Sequence, residues 1–99
     1  MDLRQLFLRH IAPTTESPLA LAFSRAEGVF LYDAEGHAYM DFISGIGVSN
    51  IGHSHPEVVA AVQKQAADYM HLMVYGEYIQ QPQVGYAQAL CATLDPSLD

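Results

Sequence analysis

His53 and His55, separated by one serine, are close enough in sequence to bind one metal ion. A zinc site needs a third and usually a fourth ligand from nitrogen, sulfur or oxygen donors. His37, His71 and Glu57 could supply these ligands, although nothing in their spacing requires that they converge. We therefore expect His53 to pack and hydrogen-bond within a loop and His55 to help cap the following helix, and we predict no metal site.

The run Gly45-Ile46-Gly47-Val48 contains the first two glycines of a dinucleotide-binding fingerprint. That fingerprint needs a third glycine where this chain has Asn50, and it needs a helix that begins directly at the glycine-rich turn. No acidic residue closes a parallel strand–helix–strand unit about 20 residues later. The run therefore predicts a flexible loop rather than a nucleotide site.

Lys64 and Cys91, the single lysine and the single cysteine, are the candidate nucleophiles. A Schiff-base lysine must be desolvated or lie beside another cation. Lys64 falls on the predicted polar face of a helix, so we expect it to be solvated, and Cys91 has no basic neighbour to favour its thiolate. We predict no catalytic residue. Tyr75 and Tyr78 lie in an irregular segment, and the sequence is compatible with either a core role or a pocket role for them.

Composition limits the classes of partner. The net charge of −7 and the lack of a Lys/Arg cluster argue against nucleic acid. No apolar run approaches the roughly 18–20 residues of a membrane span, and no secretory signal is recognisable. One cysteine suits a reducing compartment, so we predict a cytoplasmic protein without nucleic-acid or membrane partners.

Apolar periodicity predicts an α+β fold. Leu3, Leu6, Phe7 and Ile11 recur at three- and four-residue spacing, which indicates an amino-terminal helix. Strands are predicted over residues 19–24, 29–32 and 38–42, with turns at 26–28 and 33–36. Connections this short permit only antiparallel neighbours, so the strands should form a meander. The length supports one small domain that buries a modest share of its surface, and one face of the meander must be covered by helices or by the rest of a larger protein.

Two further helices should follow a loop over residues 44–54. Pro56 is well placed to begin a helix that runs to about Met70, because proline is favoured at the first helical position. Residues 71–81 are predicted to be irregular, and a last helix should run from Pro82 to about Leu94. The predicted order is therefore one helix, a three-stranded antiparallel meander and two helices.

Five motifs follow one another between residues 13 and 94. They are Gly28 with an apolar run into Asp33, Gly36 with Tyr39-Met40-Asp41-Phe42, Gly45-Ile46-Gly47-Val48, Gly52-His53-Ser54-His55-Pro56, and Val59-Ala60-Ala61-Val62 running on to Gln65 and His71. Each is weak alone, but in this order they are specific. The chain resembles the amino-terminal segment of class III aminotransferases, the pyridoxal-phosphate enzymes that include acetylornithine, ornithine and 4-aminobutyrate aminotransferases.

The resemblance implies that residues 1–99 are part of the small domain of a fold-type I pyridoxal-phosphate-dependent transferase, and that they end before its large cofactor-binding domain. It implies a homodimer that acts on a small-molecule amino donor and a 2-oxo acid. Ile46 and Val48 would border the substrate pocket, and Tyr75 would do likewise. In the family, the phosphate-binding turn and the Schiff-base lysine lie further along the chain.

We therefore expect no cofactor-binding residue here and no catalysis by this chain alone. It would act as an enzyme when joined to the remainder of the aminotransferase chain and a second subunit. The alternative is a non-catalytic, truncated interaction or oligomerisation module. Both hypotheses predict a large exposed apolar surface.

Overall fold

The computed structural model describes residues 2–98 and divides into two compact units, Met1–Gln63 and Lys64–Asp99. The elements in chain order are α1 (Leu3–His10), β1 (Arg25–Glu27), β2 (Phe30–Tyr32), β3 (Ala38–Met40), α2 (Ser44–Gly47), α3 (Pro56–Asp68), α4 (Gln81–Cys91) and a 3-10 turn (Pro96–Leu98). The predicted α+β class and the order of helix, meander and helices are confirmed, with α2 as an addition.

Helix α1 begins with a capping box. The Asp2 carboxylate accepts a hydrogen bond from the backbone N–H of Gln5 at 2.8 Å, and the Gln5 side chain accepts one from the N–H of Asp2 at 3.0 Å. Arg9 and His10 lie in the last turn, where positive charge complements the helix dipole. The predicted amino-terminal helix is confirmed.

The first unit contains an antiparallel meander in the order β1-β2-β3. Glu27 pairs with Phe30 across the hairpin turn, and Phe30 pairs with Met40 on the other side. The turn between β2 and β3 closes with a hydrogen bond from the N–H of Gly36 to the carbonyl of Asp33 at 3.2 Å. The predicted turn over residues 33–36, with Asp at the first position and Gly at the fourth, is confirmed.

The predicted first strand, residues 19–24, is wrong. The strand begins at Arg25, and Ala20 has a φ of 49°, which interrupts extended backbone. The predicted turn at 26–28 is also displaced, because β1 continues to Glu27 and the chain reverses at Gly28 and Val29. The β1–β2 pairing also places the Arg25 guanidinium 3.7 Å from the centre of the Tyr32 ring.

In the second unit, α4 ends at Cys91 rather than near Leu94. The Thr93 hydroxyl and backbone N–H both donate to the carbonyl of Leu90, at 2.8 and 3.0 Å, which offers the chain an alternative to continuing the helix. The following 3-10 turn is capped by the Asp95 carboxylate, which accepts from the N–H of Ser97 at 2.9 Å.

No apolar residue among residues 2–98 is buried, so the part of the chain that the structure describes contains no closed hydrophobic core. Apolar side chains such as Leu19, Phe42 and Ile79 are largely exposed. The described residues also contain no helix whose length and apolar character would let it cross a membrane.

Candidate functional site

The loop predicted over residues 44–54 contains a left-handed turn. All four residues of α2 have positive φ angles, between 50° and 71°. The turn is closed by a hydrogen bond from the N–H of Val48 to the carbonyl of Ser44 at 2.9 Å. Left-handed backbone costs an L-residue about 1–2 kcal/mol, and for a β-branched residue such as Ile46 it is a rare conformation. The surrounding structure must therefore hold the turn in place.

Asp41 supports the start of this turn. Its Oδ1 accepts hydrogen bonds from the backbone N–H groups of Ile43 and Ser44, at 3.0 and 2.9 Å. Its Oδ2 lies 2.6 Å from Nε2 of His53. Only 8% of the Asp41 side chain and 21% of the His53 side chain are exposed. One carboxylate thus connects the turn to a histidine twelve residues later.

The hydrogen bond with His53, followed by the one from the N–H of Ser44, holds the pKa of Asp41 below its ordinary value of 3.8. The carboxylate is therefore ionised at neutral pH. Hydrogen bonds to an ionised acceptor are shorter and stronger than those between neutral groups. The strained turn is accordingly held by strong contacts.

His53 is itself fixed to the hairpin turn. Its backbone N–H donates to the carbonyl of Gly28 at 2.8 Å, and the N–H of Gly28 donates to the carbonyl of His53 at 3.0 Å. Gly52 permits this approach, because a Cβ on Gly52 would lie 3.0 Å from the Gly28 oxygen. The Ser54 hydroxyl adds a hydrogen bond to the carbonyl of Ala26 at 2.8 Å. The predicted packed, hydrogen-bonded role of His53 is confirmed.

His55 lies at the start of α3, as predicted. Its carbonyl accepts a hydrogen bond from the N–H of Val59 at 2.9 Å, and Pro56 occupies the first helical position. Its ring Nδ1 is buried and makes no hydrogen bond within the described residues. His55 therefore directly precedes the helix, but its ring Nδ1 makes no capping hydrogen bond, so the predicted capping role is not confirmed.

A cluster of three possible metal ligands lies elsewhere in the described residues, where ligand atoms of Asp33, Glu35 and His37 lie within 4.8 Å of one another. Hydrogen bonds explain this geometry. The Asp33 carboxylate receives the His37 backbone N–H at 2.8 Å and the Tyr39 hydroxyl at 3.1 Å, and it lies 2.9 Å from the His37 ring. Burial raises the pKa of Asp33, but the hydrogen bonds from His37 and Tyr39 outweigh it and lower the pKa. The cluster stabilises the β2–β3 turn.

The predicted pocket residues fall in both units. Ile46 and Val48 lie in and directly after the left-handed turn, with 88% and 71% of their surface exposed. Tyr75 lies in the second unit and is 73% exposed. A cleft of about 410 Å³ lies beside the Asp41–His53 pair, and its described lining includes neither Ile46 nor Val48.

The described lining of this cleft does not fit the phosphate of pyridoxal phosphate. Neither lysine nor arginine lines the cleft among the residues described, so no strong cation faces a phosphate there. Lys64 is 79% exposed, and its hydrogen bond to Asp68 at 2.6 Å raises its pKa. A protonated, solvated amine is not a nucleophile, which confirms the predicted surface role of Lys64.

Asp41 was not among the residues predicted for the site. No spacing rule connects it to His53, because their contact depends on how the loop folds back. A local signal was available, since Asp residues commonly accept hydrogen bonds from backbone N–H groups two residues further on. The N–H of Ile43 fulfils that pattern, and the N–H of Ser44, three residues after Asp41, donates to the same oxygen.

Comparison with known proteins identifies the family. The model of the family "Aminotransferase class-III" matches residues 11–97. The acetylornithine aminotransferase of Streptomyces clavuligerus is 44% identical over 70 residues, which are 71% of this chain and 17% of that protein. The crystal structure of acetylornithine aminotransferase from Elizabethkingia anophelis matches with a TM-score of 0.77 and 33% identity, over 91% of this chain and 23% of its own.

A further match widens the range of named activities. The adenosylmethionine-8-amino-7-oxononanoate aminotransferase from Methanocaldococcus jannaschii matches with a TM-score of 0.81 and 29% identity, over 93% of this chain and 22% of its own. The chain thus spans less than a quarter of the length of these relatives. Its elements correspond to part of the small domain of fold-type I enzymes. The chain belongs to the class III aminotransferases, a family that depends on pyridoxal phosphate.

Proposed function

We propose that this chain is the amino-terminal part of the small domain of a transaminase. The whole protein would transfer an amino group from an amino acid or ω-amino donor to a 2-oxo acid, with pyridoxal phosphate as cofactor. The observation that carries the proposal is the family match over residues 11–97. The proposal includes a homodimer and, because a single cysteine suits a reducing compartment, a cytoplasmic location.

In this proposal Ile46 and Val48 form part of the wall of the substrate pocket, and Tyr75 is likewise a substrate-binding residue of the assembled enzyme. The exposed apolar side chains of Ile46 and Val48, on a turn held by hydrogen bonds, support this role. Such side chains exclude water and distinguish donors by size. A difference of one methylene in an apolar pocket is worth about 1–3 kcal/mol of discrimination.

The proton transfers belong to other parts of the protein in this proposal. Pyridoxal phosphate, when bound there, supplies the electron sink that transamination needs. Lys64 is hydrogen-bonded to Asp68 and solvated, which supports the proposal that this segment is inert by itself. The segment would shape the pocket while the remainder of the chain holds the cofactor.

A chimera tests the proposal directly. Residues 13–94 would replace the matching segment of the Streptomyces clavuligerus acetylornithine aminotransferase, with the parent enzyme as control. We expect a dimer with cofactor absorbance and measurable amino transfer, and with a donor preference that differs from that of the parent. A folded chimera that binds the cofactor and transfers no amino group would contradict the proposal.

The isolated chain provides the complementary measurement. We expect no amino transfer when the 99-residue chain is mixed with pyridoxal phosphate, an amino donor and a 2-oxo acid. If the chain alone forms a stable oligomer of defined size and the chimera is inactive, the interaction-module alternative is correct. If the chain alone transfers amino groups, the proposed inert state is wrong.

A further inference from the structure

Asp41 and His53 form a largely shielded pair to which the proposed function gives no role. We propose that they are positioning residues of the transaminase, whose contact locks the left-handed turn and so orients Ile46 towards the amino donor. This inference rests on the proposed function, because Ile46 meets a substrate only in the assembled enzyme. Neither Asp41 nor His53 needs to touch the substrate for this role.

The turn needs such a lock because its conformation is intrinsically disfavoured. Ser44 and Ile46 have φ angles of 50° and 67°, in the region that L-residues avoid. Ile46 is also β-branched, which makes this conformation a genuine outlier. If the support is removed, these residues should relax towards ordinary backbone angles. The Ile46 side chain would then point in a different direction.

A continuous series of contacts runs from the hairpin to the turn. Two backbone hydrogen bonds, at 2.8 and 3.0 Å, fix His53 to Gly28. The His53 ring meets Oδ2 of Asp41 at 2.6 Å, and Oδ1 accepts the N–H groups of Ile43 and Ser44. The sheet also holds Asp41 directly, because its N–H donates to the carbonyl of Val29 at 2.8 Å. The strained turn is therefore anchored to the three-stranded sheet.

Substitutions at His53 separate the ring contact from the backbone contacts. His53→Ala removes the ring but leaves its backbone hydrogen bonds available. His53→Gln can still donate an amide hydrogen to Asp41 and serves as the conservative variant. Both are made in the assembled enzyme, either the full-length protein or the chimera described above.

The activity measurement is the ratio of kcat/KM for two amino donors that differ in chain length. Misplacement of a positioning group by 1 Å can change rates by about 100-fold, so we expect His53→Ala to change this ratio by about 10-fold. His53→Gln should restore most of the original ratio. A purely structural role for His53 would lower the melting temperature of the enzyme without altering the ratio.

Ser54→Ala is the matched control for loop stability. It removes the Ser54 hydrogen bond to the carbonyl of Ala26, which anchors the same loop to β1 without contacting the turn. We expect a lower melting temperature and an unchanged donor ratio. A change in the ratio as large as that of His53→Ala would overturn the positioning role, because any loosening of the loop would then be sufficient.

Hydrogen exchange of the backbone amides of residues 43–49, in the same enzymes, measures the lock itself. Faster exchange in His53→Ala, but not in Ser54→Ala, is expected. Unchanged exchange in His53→Ala would overturn the lock. An unsubstituted enzyme without amino transfer would overturn the proposed function together with the positioning role. If the enzyme is active and His53→Ala leaves the donor ratio unchanged, the positioning role alone is overturned.

Discussion

Gly52→Ala should weaken the contact between the loop and the hairpin for two reasons. Alanine is strained in left-handed backbone, and its Cβ would also collide with the backbone of Gly28. Gly52 has a φ of 80°, and a Cβ there would lie 3.0 Å from the oxygen and 3.3 Å from the carbonyl carbon of Gly28. Both obstructing atoms are backbone atoms, which cannot rotate away as a side chain can. The clash should therefore disturb the two backbone hydrogen bonds between Gly28 and His53.

Gly36→Ala separates the two effects. Gly36 has a φ of 87°, but a Cβ there would meet no atom within 4 Å. Both substitutions force alanine into left-handed backbone, at about 1–2 kcal/mol each. Gly52→Ala should also disrupt the two backbone hydrogen bonds between Gly28 and His53, each worth about 0.5–1.5 kcal/mol. The expected excess is about 1–3 kcal/mol, or a 5- to 150-fold change in the opening equilibrium.

Native-state hydrogen exchange of the intact protein measures this difference locally. In Gly52→Ala the amides of Gly28 and His53 should exchange faster than in the unsubstituted protein. The increase should exceed the effect of the left-handed backbone strain alone by about 5- to 150-fold. Gly36→Ala should affect the amides of residues 33–37 instead. If the amides of Gly28 and His53 keep their protection in Gly52→Ala, the close backbone contact is not a feature of the native protein.

Three other predictions concern single side chains. In the assembled enzyme, Ile46→Ala should change the relative rates with donors of different size while the melting temperature stays nearly constant, because a side chain in the pocket wall faces the substrate rather than the core; a lower melting temperature with unchanged relative rates would make it a packing residue. Lys64→Gln should leave cofactor absorbance and amino transfer unchanged in the assembled enzyme, and loss of either would contradict the surface role. Because hydrogen bonds lower the pKa of Asp41, its contribution to stability is present above the unfolded value of about 3.9 and is lost as pH falls through the lowered pKa. The free energy of unfolding of Asp41→Asn should therefore fall less steeply below about pH 4 than that of the unsubstituted protein. Equal slopes for the two proteins would count against the contact with His53.

The order of elements is predictable because it depends on local signals. Helical periodicity, Pro56 at a helix start and the Asp33–Gly36 turn each act over a few residues. The first strand fails because alternation of apolar residues does not specify a pairing partner. Leu19 and Leu21 alternate as a strand would, yet the hairpin turn at Gly28 pairs Arg25 with Tyr32 instead.

The geometry of the site is less predictable because it is tertiary. Glycines at positions 45 and 47 indicate conformational freedom, but they do not specify which conformation is adopted. Ser44 and Ile46 adopt left-handed angles next to the contact between Asp41 and His53. That contact forms only after the loop has returned to the hairpin, so no local pattern contains it.

Both hypotheses predict exposed apolar surface, but only the interaction module must also fold with a core of its own. A module that folds alone must gain most of its stability from apolar area removed from water, at about 25 cal/mol per Å². None of the described apolar residues is buried, and Phe42 and Ile79 are 89% and 95% exposed. A chain with so little shielded apolar surface cannot easily offset the strain of the left-handed turn. The observation therefore favours a segment whose apolar surfaces are covered by the rest of an aminotransferase.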